Sequence, residues 1–354
     1  MGRSDAPPVA LLLFCAGCAD LIGANFDVEP LPSTGGAGVG GEGAGDVGAG
    51  GAGGDGAGGA VEIETIWEGD YPWDVVVSGA FVTWSSSGGP GPGGILRWPK
   101  SGGAVQVYTP SYRGANRIVD DGTELFFTGS GPDPADFVVG RCNNVTLSCE
   151  TLAQPSGSPI GITLDAENVY FTEAPSTLRV VTKESGDPVA TYSVPVDTSQ
   201  ILLHGQHLWG TSIAGDQVWW VMLPLPPSGE ALPLVSAAMP AANGLCPYDS
   251  NVVVAGGFTL DAKVSHFGNF SSATDLAINQ AQVADLTSDS LHIYWATFGD
   301  GRVSRVAKVG GTPKVLVSGE DSANGVAVDE SYLYFTRFAP QAAGGAVRRV
   351  SLVP

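Results

Sequence analysis

Only four histidines occur in 354 residues. Two of them, in the run His204-Gly205-Gln206-His207, make half of a metal motif, but no carboxylate or third ligand lies nearby in sequence. No Gly-x-Ser-x-Gly, His-Glu-x-x-His or phosphate-loop pattern is present, so no catalytic residue, metal site or cofactor is expected. Basic residues are also scarce: 16 Lys and Arg against 36 Asp and Glu leave a net charge of -20. Such a chain repels phosphate backbones, which excludes nucleic acid as a partner. Long apolar runs are missing too. One short run near the N-terminus, "VALLLFCAG", falls well below the roughly 20 residues that a membrane-spanning helix needs. Nowhere does apolar spacing of three and four residues persist long enough to write a helical repeat.

The short apolar run does suit the core of a secretory signal. It ends in "CAGCAD", where Ala16 and Gly17 stand directly before Cys18. This resembles the lipobox of bacterial lipoproteins, departing from it in Cys15, where Leu is usual, and in Asp5, which dilutes the basic end. The resemblance implies a signal peptide over residues 1–17 and a mature N-terminal segment, 18–34, carrying diacylglycerol on the Cys18 thiol. Ala19 in place of aspartate implies sorting to the outer membrane, facing the periplasm or the cell surface. Residues 35–60 are almost entirely Gly and Ala, with Val39 and Val47 as the only large aliphatic residues. A segment of this kind buries too little to offset its ordering entropy, so a flexible tether is expected, spanning about 28 Å r.m.s..

Beyond the tether the chain repeats itself. The segments "GITLDAENVYFTE" (161–173), "DLTSDSLHIYWAT" (285–297) and "GVAVDESYLYFTR" (325–337) align without a gap. Four others fit the pattern, that at 245–257 most weakly. Each reads as an apolar run, a turn and an alternating strand. The turns open at Ser78, Asp121, Asp165, His204, Asp249, Asp289 and Asp329, spaced by 43, 44, 39, 45, 40 and 40 residues. That period is the length of a propeller blade. The second half of each unit reads strand, Gly-containing turn, strand. The expected fold is therefore all-β: a β-propeller over residues 61–354 with four-stranded antiparallel blades, seven by this count, six if the two weak units merge. The last unit stops at its third strand, and Val61–Trp67 reads as the missing fourth, closing the ring. The aspartates at the turns are expected to cap them rather than bind metal.

"LYFT" and "IYWAT", following an apolar run that ends in Asp, resemble the YWTD and NHL types of β-propeller found in bacterial lipoproteins. The resemblance implies that first strands line a central channel and start at one face, here called the top. It gathers Trp73, Asp74, Asn116, Arg117, Gln200, Asn243, Asp285 and Asn324 around the channel mouth as candidate ligand-binding residues. Streptogramin-lyase-type propellers use a channel-side histidine, which this chain does not offer. A monomeric, non-enzymatic module binding a protein, peptide or glycan is the first functional expectation; a lyase or hydrolase working in the channel is the alternative. Of three cysteines past the anchor, Cys142 and Cys149 are spaced to face one another across a hairpin, and export permits a disulfide between them. Cys246 is expected to be buried and free.

Overall fold

The computed structural model describes residues 62–87, 93–109, 112, 114–131, 133, 136–249, 252–268 and 272–353. Cys18, the signal and the tether lie outside the described residues. Twenty-eight strands form seven four-stranded antiparallel sheets, so the count is seven blades. The closing strand is β1 (Ile63–Glu68). Blade 1 is β2 (Pro72–Ser78), β3 (Phe81–Ser86), β4 (Gly94–Pro99) and β5 (Gln106–Thr109). Blade 2 is β6 (Ile118–Asp120), β7 (Glu124–Ser130), β8 (Phe137–Asn143) and β9 (Cys149–Ala153). Blade 3 is β10 (Pro159–Leu164), β11 (Asn168–Glu173), β12 (Thr177–Thr182) and β13 (Pro188–Ser193). Blade 4 is β14 (Thr198–His204), β15 (His207–Ser212), β16 (Gln217–Met222) and β17 (Val235–Ala238). Blade 5 is β18 (Ala242–Asp249), β19 (Val252–Gly257), β20 (Ala262–Gly268) and β21 (Ser272–Gln280). Blade 6 is β22 (Val283–Ser288), β23 (His292–Thr297), β24 (Arg302–Ala307) and β25 (Lys314–Val317). Blade 7 is β26 (Ala323–Val328), β27 (Tyr332–Arg337) and β28 (Ala346–Ser351), with β1 as its outer strand.

The expected closure is present. β1 runs antiparallel to β28, pairing Ile63 with Val350 and Glu68 with Ala346, and Arg349 grips Glu64 at 2.6 Å. The first strand of each blade touches the first strands on either side, so seven inner strands form a ring around the channel.

Alternation by two explains why neighbouring blades adhere. In β23, Ile293 and Trp295 pack against blade 5, while Tyr294 between them packs against blade 7. In β27, Leu333 and Phe335 face blade 6 and Tyr334 faces blade 1. Each of the seven inter-blade interfaces holds its own cluster of buried apolar side chains. Full burial of each such aromatic contributes about 1.5–3 kcal/mol. Space in these interfaces is tight. A Cβ placed on Gly210 would lie 2.3 Å from the indole of Trp219, its cross-strand partner. Gly210→Ala should cost about 1–3 kcal/mol through overpacking, read as a lowered urea midpoint with an unchanged slope.

Four of the five turn aspartates act as caps; the turn after Asp249 lies outside the described residues. Asp121, Asp165, Asp289 and Asp329 each accept backbone N–H bonds from two and three residues ahead, for example Ser331 and Tyr332 onto Asp329 Oδ1, both at 2.8 Å. Tyr170, Tyr294 and Tyr334 donate their hydroxyls to the second oxygen of Asp165, Asp289 and Asp329. Partial burial pushes the Asp329 carboxyl up, but the two amide donors and Lys100 outweigh it and hold it below the ordinary range. A depressed carboxyl supplies its stability above its unfolded value and loses it as pH falls through the folded one. Asp329→Ala should therefore cost about 1–3 kcal/mol at neutral pH, and the deficit should shrink in urea titrations carried out below pH 4.

Cys142 and Cys149 sit opposite one another on β8 and β9 and form a disulfide, while Cys246 is buried and free. Two arginines of β28 are engaged within the closing blade rather than left to solvent. Arg348 makes a two-pronged bond to buried Glu320, and Arg349 lies between the rings of Trp98 and Tyr332 while holding Glu64. Both arginines fasten the closing blade.

Candidate functional site

Propeller topology puts two kinds of segment on the top face: the loops between second and third strands, and the links from one blade to the next. The links contain an unusual backbone feature. Tyr71, Asp197, Ala241, Gln282 and Ser322, each just before an inner strand, have φ between 47° and 62°. Non-glycine residues rarely adopt this region. Here its carbonyl accepts the N–H of the residue that follows the second strand of the same blade, as in Ser87 to Tyr71 at 3.2 Å and Phe298 to Gln282 at 2.8 Å.

Hydroxyls then tie each blade to the next. Ser85 accepts the Asp74 N–H at 3.1 Å and donates to the Asn116 carbonyl at 2.7 Å. Thr128 donates to Ile160, Thr172 to Thr198, Thr211 to Asn243 and Thr336 to Trp73, all carbonyls of the following inner strand. Blades 5 and 6 lack a hydroxyl at this place, and longer side chains take over. Asn243 Nδ2 donates to the Ala284 carbonyl at 2.9 Å, and Asp285 Oδ2 accepts the Val326 N–H at 3.1 Å. Asn324 Nδ2 reaches the Trp73 carbonyl at 2.8 Å.

Four of the eight candidate residues meet inside the ring. Arg117 of the link into blade 2 crosses the channel to Asp285 of blade 6 at 3.3 Å and lies 3.7 Å from Asp74 of blade 1. Gln200 of blade 4 adds a 3.4 Å bond to the same Asp285 oxygen. Asp74 also accepts the N–H groups of Val75 and Ile118. The three charges are buried, with side chains no more than 12% exposed. Burial pushes the Asp74 carboxyl up to about 7; the Arg117 cation offsets part of this, and the nearby Asp285 carboxylate adds to it. Asp285 is raised for the same reason, again with Arg117 opposing. Burial pulls Arg117 down, but its two carboxylate neighbours outweigh that and keep it charged. The pair of acids therefore holds a proton into the neutral range. Asn243 and Asn324 stay at the perimeter on neighbouring backbone. Asn116 Oδ1 and Gln200 Oε1 are buried without a hydrogen-bond partner among the described residues.

Trp73 stands at the rim, half-buried, with Phe338 edge-on at 5.0 Å. It belongs to a larger feature that strand patterning misses. Phe258, Phe298 and Phe338 each follow the second strand of blades 5, 6 and 7, at an even spacing of 40 residues. Their rings form a row, 6.1 Å from Phe258 to Phe298 and 6.4 Å from Phe298 to Phe338. Tyr71 joins Phe338 at 5.2 Å. All five side chains are half-buried. The aligned segments stop one residue short of each phenylalanine; extending them by one position exposes the period.

Among the described residues no cluster of His, Cys, Asp and Glu suits a metal ion, and no helix is long and apolar enough to cross a membrane. The chain matches no protein-family profile and no curated protein sequence. It is similar in fold to several solved propellers. U3-55K superposes with a TM-score of 0.61 at 9% identity, covering 82% of this chain and 98% of that one. The β-propeller domain of the Trilobed protease from Pyrococcus furiosus, described as having an open velcro topology, gives 0.57 at 10%, covering 80% and 94%. BamB from Moraxella catarrhalis gives 0.52 at 16%, covering 80% and 84%. At such identities the likeness is one of fold. The chain is a seven-bladed β-propeller whose ring is fastened by β1.

Proposed function

We propose that this protein is a membrane-anchored extracytoplasmic β-propeller, of the YWTD- and NHL-like kind, that acts as a binding module through its top face. One observation carries the reading: the top rim holds a connected set of half-buried aromatics beside the channel mouth, whereas the charged groups within the channel are engaged with one another. Asp74 offers a proton near neutral pH, but its oxygens face Arg117 and two backbone amides rather than open space, which favours a binder over a lyase or hydrolase. The unpartnered oxygens of Asn116 and Gln200 would receive a donor entering the mouth. The candidate ring thus contributes Trp73 at the rim and these two acceptors below it, with Asp74, Arg117, Asn243, Asp285 and Asn324 framing them.

Placement of the closing strand supports an anchor. β1 climbs from the bottom face to the top, so Glu62 lies at the bottom edge. A tether from Cys18 would join there and present the aromatic rim away from the lipid. Labelling with a radioactive fatty acid should mark the wild-type chain and not Cys18→Ser; equal labelling removes the anchor from the account. For the binding face, photo-crosslinking side chains at Leu260 on the top and Val309 on the bottom, both exposed, give a direct comparison. Adducts in native membranes should form from position 260 and not from 309. The opposite pattern would refute a top-face module.

A further inference from the structure

The three phenylalanines occupy a place where the fold does not ask for an aromatic. In blade 4 the same position is Ile213, in blade 3 Ala174 and in blade 1 Ser87, each making the same backbone bond to the start of its blade. A small polar residue therefore satisfies the geometry. Blades 5, 6 and 7 nevertheless place phenylalanine there three times, and the row continues into Trp73 and Tyr71 of the link and first strand of blade 1. Leu260, 77% exposed in the loop after Phe258, extends the apolar surface. A row of touching, partly exposed aromatics on the rim of a folded domain, with an exposed leucine in the adjoining loop, suits a contact surface.

Charge on the same arc has one sign in excess. Glu68, Asp261, Asp300 and Asp321 are exposed on the top segments of these blades, and the Asp321 side chain is 89% exposed. Two of the four already have a cation, Asp300 with Arg302 at 3.3 Å and Asp321 with Arg337 at 3.7 Å, while Glu68 and Asp261 make no ion pair among the described residues. The whole chain carries -20. Aromatic faces attract cations as well as apolar groups, and carboxylates around them favour the same partner.

Resting on the top-face binding reading, we infer that the arc Phe258–Phe298–Phe338–Trp73 receives a basic polypeptide segment that carries apolar side chains between its lysines or arginines. A neutral glycan would stack on the rings but leave Glu68 and Asp261 without a counter-charge, and an acidic segment would be repelled.

The test uses the full chain and short fluorescent peptides of alternating Lys and Leu, with Gln-Leu and Glu-Leu counterparts and a neutral oligosaccharide. The Lys-Leu peptide should bind, and added salt should weaken it. Phe298→Ser and Phe338→Ser, which copy the residue found in blade 1, should each weaken binding about tenfold or more, a loss of about 1.4 kcal/mol. Their melting temperatures should stay near that of the wild type, which separates lost contact from lost fold. Glu68→Gln with Asp261→Asn should weaken binding and flatten its salt dependence. Equal affinity in the phenylalanine variants, preference for the Glu-Leu peptide or the oligosaccharide, or no binding of the Lys-Leu peptide would each overturn the inference. None of these would by itself displace the top-face reading, which stands or falls on crosslinking from Leu260.

Discussion

Joining the glycine-rich segment directly to Gly69, without residues 62–68, should lower the melting temperature by roughly 10 °C or more and leave a chain that aggregates. The size follows from what β1 supplies. Ile66 and Trp67 pack on the blade 7 to blade 1 cluster, where Trp67 lies 5.5 Å from Trp84. Half-burial of two large side chains, with several ladder hydrogen bonds at about 0.5–1.5 kcal/mol each, comes to about 3–6 kcal/mol. That is a large share of the 5–15 kcal/mol typical of a domain. Removal also bares β28 along its length, an edge ready to pair with another chain. A peptide of residues 61–70 added in trans should restore part of the loss. An unchanged melting temperature would mean that β1 is not what fastens the ring.

The second large effect lies in the channel. Arg117→Met should cost about 3–5 kcal/mol at neutral pH, because it leaves two buried carboxyls without their shared cation. The deficit should narrow as pH falls, because burial raises both carboxyls and protonation removes the uncompensated charge. Asp74 alone gives a signed test. Its folded value, about 7, lies above its unfolded value of 3.8. Between these the native state holds a proton that the unfolded chain releases, so this group's contribution to stability falls as pH rises through that window and is level above it. Asp74→Asn keeps the shape and an oxygen acceptor for the Ile118 amide. Relative to wild type it should gain stability from pH 4 to pH 7, in parallel urea titrations. A parallel pair of pH profiles would show that Asp74 is charged throughout.

These two sites mark how far residues alone can be read. The blade repeat is legible because one physical need recurs: an Asp cap, then a strand whose odd and even side chains face different neighbours, as in Ile293-Tyr294-Trp295. Closure is legible from a subtraction, since blade 7 ends at β28 and "VEIETIW" has no blade of its own. Trp73, Asp74, Arg117 and Asp285 are legible as strand-start residues. Their pairing is not, because Arg117 and Asp285 are 168 positions apart and belong to blades 2 and 6, joined only across the channel. The phenylalanine row is written at even spacing, yet each member falls just beyond the strand that defines the pattern. Asn243 and Asn324 look like a ligand ring in sequence; in three dimensions the Asn243 amide stands in for a missing hydroxyl clasp at Ala284 and the Asn324 amide joins the Thr336 clasp at Trp73, which no single blade reveals.

Glu64 and Arg349 face one another across β1 and β28, which is the seam of the ring. Glu64→Cys with Arg349→Cys places two thiols at the separation of directly opposed antiparallel residues, within the range a disulfide spans. Mass spectrometry after mild oxidation and alkylation should show these two cysteines joined and protected, in a chain that melts at a higher temperature. Two freely alkylated thiols in the folded protein would contradict a ring closed by its first strand, and with it the assembly of the channel mouth and the aromatic rim.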